Sequence, residues 1–137
     1  MGYKYSVWLV FKHDDICCTL KHIPHVTLMR NMSYDNAFQY YRELLWNGYN
    51  KINVVIHRPG IVFTNKWGYY ITMHPKTYLD IELKSEKYKG EFIDNPHLII
   101  DYMNKKCIDY KGITKVEGTI CLVNTMSNNP SLWKIIL

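Results

Sequence analysis

A chain of 137 residues is long enough for one domain that buries a core without disulfide or metal staples. With 47% apolar and 21% charged residues it reads as globular rather than disordered, and no apolar run approaches the roughly 20 residues that span a bilayer. Seventeen Lys and Arg against twelve Asp and Glu leave a net charge of +5, a modest excess that favours a phosphate-bearing partner without requiring one.

In chain order, "YSVWLVFK" (5–12) is β-branched and aromatic and predicts a buried strand. It lacks a small-residue cleavage site and runs into Lys12, His13, Asp14 and Asp15, so a strand is expected there and not a signal peptide. "HVTLM" (25–29) predicts a second strand. Ser33 reads as an N-cap for a helix over 34–47, where Ala37, Tyr40, Tyr41, Leu44 and Leu45 recur at helical spacing and Gly48 lies just past the end. "INVVIH" (52–57), a turn at Arg58-Pro59-Gly60 and "IVF" follow. A turn at 65–68 precedes the strand "YYITMH" (69–74). "YLDIEL" (78–83) alternates and reads as a strand, with a short helix as the alternative. Residues 91–103, 118–126 and 132–137 predict three more strands. Many strands and one clear helix indicate a single α+β domain over 1–137 with a mostly antiparallel sheet.

Cys17, Cys18, Cys107 and Cys121 form no C-x-x-C and are expected to be reduced thiols of a cytosolic protein. The six histidines show no H-x-x-x-H spacing, so neither a metal nor another cofactor is expected. His22 reads as a loop residue and His57 and His74 as strand ends beside turns. Lys105, Lys106, Lys111 and Lys115 read as a solvated basic face.

One short repeat stands out. Pro24-His25-Val26-Thr27-Leu28 is echoed 72 residues later by Pro96-His97-Leu98-Ile99-Ile100. Proline is tolerated at the start of a strand, and strand side chains alternate faces. Val26 and Leu28 are therefore expected in the core with His25 and Thr27 on the opposite face, and His97 shares its face with Ile99. Two histidines flanking one phosphate meet the needs of phosphodiester cleavage, because imidazole serves as base or acid near neutrality. A threonine hydroxyl two residues on can hold a phosphate oxygen. A single histidine in an apolar strand is more often a core residue; the repeat is what favours catalysis.

The paired motif resembles the 2H phosphoesterase family, named for two His-apolar-Thr/Ser-apolar segments. "HVTL" (25–28) matches in full, and "HLII" (97–100) keeps the histidine but has Ile99 where the family has Thr or Ser. A strand before the first motif, a helix after it, a strand pair containing Phe63 and a terminal strand–loop–strand follow the family's order. The resemblance implies two pseudo-symmetric lobes around a cleft, with His25 and His97 as catalytic pair and Thr27 and position 99 on the phosphate. By their place in the "NKWGYY" turn Trp67 and Tyr69 read as stacking residues for an adenine, with core or hairpin packing at least as good a reading. Compactness and a Lys-, Asn-, Ile- and Tyr-rich composition are similar to the viral members of the family. Those cleave 2',5'-linked oligoadenylates and blunt the host RNase L pathway. This implies a metal-independent enzyme of the host cytoplasm, acting on 2',5'-oligoadenylate or another small RNA without a membrane, as a monomer or a domain of a larger viral protein. Ile99 cannot donate to a phosphate, which admits substitution by Thr72, Thr77, Tyr102 or a lysine, a shifted register, or loss of activity. Rival readings are a 2H enzyme acting on cyclic nucleotides or RNA 2',3'-cyclic ends, a non-catalytic RNA- or nucleotide-binding module, and an interaction domain of a larger chain.

Overall fold

The computed structural model describes residues 4–16, 22–63, 66–101, 115–127, 129 and 132–137. In order these form β1 (Tyr5–Val10), α1 (His13–Ile16), β2 (His25–Met32), α2 (Tyr34–Trp46), β3 (Lys51–Phe63), β4 (Lys66–Met73), α3 (Pro75–Ser85), β5 (Glu91–Phe92), β6 (His97–Asp101), β7 (Lys115–Asn124) and β8 (Lys134–Ile135). All strand pairings among the described residues are antiparallel. The order β1-β2-β6-β4-β3-β7 closes on itself because β7 also pairs with β1, making a six-stranded ring. The two halves of β7 divide the work, Lys115–Thr119 lying against β3 and Thr119–Asn124 against β1. Two short strands extend the ring, β5 on β2 and β8 on β7.

Alternation decides which side chains go where. Val7 and Leu9 of β1, Val26 and Leu28 of β2, Tyr69 and Ile71 of β4, and Leu98 and Ile100 of β6 join one core. α2 closes that core with Ala37, Tyr40 and Leu44, and the buried Tyr40 hydroxyl donates to the Ile81 carbonyl of α3 at 3.1 Å. Ser33 caps α2 by accepting from the Asn36 amide at 3.2 Å, and Gly48 (φ 83°) ends it in the left-handed region.

Several elements differ from the sequence expectation. Residues 78–83 lie within α3, the helical alternative: His74 caps it by accepting from the Lys76 amide, Pro75 sits in its first turn, and Ile81 and Ser85 are its buried stripe. The expected turn at 58–60 is not a turn. β3 runs through it, and the pairing with β4 slips between Ile56 and Pro59, a bulge that accommodates a residue without an amide proton. Of the turn placed at 65–68, Lys66, Trp67 and Gly68 belong to β4, and Asn65 lies outside the described residues. The strand expected over 91–103 is broken into β5 and β6 at Pro96, with 102–103 outside the described residues. α1 had no sequence signal, and the C-terminal strand shrinks to two residues. Cys17, Cys18, Cys107, Tyr102, Lys105, Lys106 and Lys111 also lie outside the described residues; Cys121 is a buried free thiol and Lys115 opens β7. No described helix is long and apolar enough to cross a membrane.

Candidate active site

β2 and β6 meet at a single bridge, Val26 opposite Leu98. Antiparallel pairing carried one residue either way sets Thr27 beside His97 and His25 beside Ile99. All four project from the face opposite the core and line one cleft of about 270 Å³. The sequence repeat therefore becomes a spatial one, with both histidines and both following positions in one cavity.

The two histidines are held alike. His25 Nδ1 donates to the Ile23 carbonyl and His97 Nδ1 to the Asn95 carbonyl, each two residues back and each at 2.7 Å. A carbonyl only accepts, so Nδ1 carries the proton in both rings and Nε2 holds the lone pair of the neutral form. The prolines in between are used alike as well. The Pro24 carbonyl accepts from the Phe11 amide at 2.9 Å, and the Pro96 carbonyl from the Ile71 amide at 3.0 Å. Each Pro-His entry is thus tied back to the strand beside it.

The surroundings of the rings differ. His25, 8% exposed, stacks on Trp8 with centroids 3.5 Å apart and planes 9° from parallel, and meets Trp133 and His22 edge-on at 5.9 and 6.4 Å. Burial in this aromatic enclosure lowers its pKa to about 3, against the raising effect of the Ile23 carbonyl and with small further lowering from His22 and His97. His97 is only half-buried. Burial lowers its pKa too, opposed by the Asn95 carbonyl and assisted by the charges of Arg30 and Lys66.

Those two cations line the cleft together with Asn31, Ser6 and Thr125. β2 brings its part through bulges: its pairing with β1 slips on both sides of Val7, and Asn31 takes a left-handed φ of 57°. Arg30 donates to Glu91 Oε1 at 2.6 Å, and the Asn31 amide to Glu91 Oε2 at 3.1 Å. Ser6 and Thr125 hydroxyls lie 3.3 Å apart. His22, expected in an open loop, donates from Nε2 to the Ile99 carbonyl at 2.9 Å and so joins the segment before β2 to β6.

Thr27 stands where the sequence placed it, half-buried in the cleft. Trp67 and Tyr69 take the core alternative and not the stacking one. Odd-numbered positions of β4 face the core, so Tyr69 is 1% exposed within it and Trp67 packs against it, and neither lines the cleft. The cleft tryptophans are Trp8 and Trp133, which sequence reasoning missed because "SVWLV" reads as buried on both faces. Thr72 accepts from or donates to His57 Nε2 at 3.1 Å in a separate groove, and Thr77 lies in α3, so neither stands in for a hydroxyl at position 99. The structure offers the cleft an anionic ligand's needs: two imidazole nitrogens, a hydroxyl between them, and cations at the rim. No protein-family model and no curated protein matches the chain.

Proposed function

We propose that the protein is a metal-independent phosphodiesterase of the 2H type, with 2',5'-linked oligoadenylate as substrate. The observation that carries the reading is the duplicated Pro-His geometry. Two rings with the same Nδ1 tether open into one cleft, with Thr27 directly beside His97. The matched tethers and matched proline carbonyls also support the two-lobed, pseudo-symmetric form of the fold, with β7 shared between lobes.

In this mechanism the phosphodiester sits between the rings with one oxygen on Thr27. His25, the ring that burial keeps neutral, takes the proton of the ribose 3'-hydroxyl at Nε2. The hydroxyl attacks phosphorus, and His97 protonates the departing 5'-oxygen, leaving a 2',3'-cyclic phosphate. His97 suits the acid role because it is less enclosed, and a bound phosphate offsets the two cations that disfavour its charged form. Trp133, half-buried at the cleft, replaces Trp67 and Tyr69 as the stacking surface for a base. Cleavage of 2',5'-oligoadenylate in a host cytoplasm would antagonise RNase L activation, as a monomer or as one domain of a larger viral protein.

Ile99 favours a second reading. It lies beside His25 in the cleft, and a site short of one phosphate donor is also what a nucleotide- or RNA-binding module with impaired catalysis would have. Another 2H activity, on cyclic nucleotides or RNA 2',3'-cyclic ends, uses the same groups.

The deciding experiment is cleavage of 2',5'-linked triadenylate beside its 3',5' isomer and 2',3'-cyclic nucleotides, in EDTA. Wild type is compared with His25→Gln and His97→Gln, each checked for folding. Cleavage of the 2',5' substrate alone, lost in both variants, is the expected result. Binding without turnover of any of them selects the module.

A further inference from the structure

Ile99 leaves the cleft asymmetric. On the β2 side Thr27 presents a hydroxyl to the cleft; on the β6 side the corresponding position, Ile99, has no donor. The neighbouring strand shows what fills the gap. Even-numbered positions of β4 share the face of His97 and Ile99, and Gly68 is the residue paired with Ile99. A side chain at Gly68 is impossible as the strands stand, since a Cβ there would lie 2.3 Å from the Leu98 carbonyl oxygen. The space over Ile99 is therefore left to the next residue on that face, Lys66, which lines the cleft with His97 and Ile99.

We infer that Lys66 is the phosphate-binding group of the β6 side, holding with its ammonium the oxygen that a hydroxyl at position 99 would otherwise hold. The inference rests on the phosphodiesterase reading only for the identity of the full substrate; the ligand chemistry it needs is a phosphate. A charged donor binds a phosphate oxygen more strongly than a hydroxyl, and from a flexible stem it follows that oxygen through the change to a trigonal-bipyramidal phosphorus. The loss of the motif hydroxyl is in this view a substitution and not a lesion.

The test uses inorganic phosphate and adenosine 2'-monophosphate, followed by the ring NMR signals of His97. The groups facing that ring are His25 and Arg30 of β2, Lys66 of β4, and Glu91 of β5 through Arg30. In wild type, phosphate should bind and shift the His97 titration upward. Lys66→Met should weaken phosphate binding roughly tenfold or more, and in the absence of phosphate should itself move the His97 titration upward, by removing a nearby positive charge. Lys66→Arg should retain most of the binding, and adding Ile99→Thr to Lys66→Met should recover part of it. A folded Lys66→Met that binds phosphate as wild type does overturns the inference, as does a wild type whose His97 is unmoved by phosphate. A wild type that binds phosphate through Lys66 yet cleaves no diester retires the phosphodiesterase and keeps the anion site.

Discussion

Trp8 and His25 stack with ring centroids 3.5 Å apart, and the consequences of burying an imidazole there reach both stability and the proposed catalysis. The pKa of His25 is lowered from 6.5 to about 3, so between those values the unfolded chain binds a proton that the folded one refuses. Stability from this source is complete above about pH 6.5 and falls as pH drops towards 3, by up to about 1.4 kcal/mol per pH unit. His97 acts in the same sense. Urea unfolding of wild type and His25→Gln from pH 7 to pH 4 checks this: the wild type should lose more stability than the variant, and parallel curves would refute a buried neutral His25. The carboxylates of Glu91 and Asp80, both lowered chiefly by hydrogen bonds from Arg30 and Tyr49, begin to lose their contributions as pH falls through the ordinary carboxylate values of 4.5 and 3.8, and that loss is common to both proteins. The same shifts set the expected rate profile. A base must be unprotonated and an acid protonated, and both pKa values of the free protein lie below 6.5, so kcat/KM for the 2',5' dinucleotide should peak on the acid side of 6.5. A profile flat from pH 5 to 9, with chemistry rate-limiting, would remove the histidine pair from the mechanism.

Two glycines govern how strands approach one another, and they differ in what they meet. A Cβ at Gly68 would strike the Leu98 carbonyl oxygen at 2.3 Å, which is backbone and fixed by the β4–β6 ladder. A Cβ at Gly118 would meet Leu9 Cγ at 2.5 Å and Phe11 Cε1 at 3.0 Å, which are side chains. Gly68→Ala should therefore cost about 3 kcal/mol or more and displace β6 with His97, whereas Gly118→Ala should cost about 1–2 kcal/mol as Leu9 repacks. Urea midpoints of the two variants, with phosphate binding as readout of the cleft, decide the order. The sequence could not distinguish these glycines, because each depends on a strand distant along the chain. What it did carry was local: the alternation that put His25 and Thr27 opposite Val26 and Leu28, and the cap and apolar spacing of α2. It failed in two ways, where pairing with a distant strand overrode turn chemistry and where alternation outweighed a local helix start. Arg58-Pro59-Gly60 has turn residues yet lies in β3 because β4 pairs across it, and "YLDIEL" alternates yet is helical because Pro75 and the His74 cap start a helix before it. Trp67 and Tyr69 read as stacking candidates because they fall in or beside the turn expected at 65–68, whereas that stretch is already strand from Lys66 and its odd-numbered positions face the core.

At the scale of the whole molecule the ring is not uniformly joined. β7 bonds continuously to β1 and then to β3, whereas β2 and β6 share one bridge, and that weak seam is where the two histidines stand. Two contacts reinforce it: the Ile93 amide donating to the Leu28 carbonyl at 3.0 Å, and the His22 side chain donating to the Ile99 carbonyl at 2.9 Å. The second is the more consequential for the site, since His22 also abuts His25, so one side chain sets both the closure of the seam and one wall of the aromatic enclosure. Opening free energies within a fold track local bonding, and a single-bridge seam should open well before the β1–β7 ladder. Amide hydrogen exchange on the intact protein should show Leu98–Ile100 exchanging faster than Trp8–Val10. His22→Ala should widen that difference roughly tenfold, the equivalent of losing about 1.4 kcal/mol of local bonding, and leave β1 and β7 unchanged. Added phosphate should narrow it again, because a ligand touching both sides of the seam binds only the closed form. Equal protection across the ring, or a His22→Ala effect spread evenly over β1 and β7, would mean that the ring opens as one unit and that the cleft is no weaker than its walls.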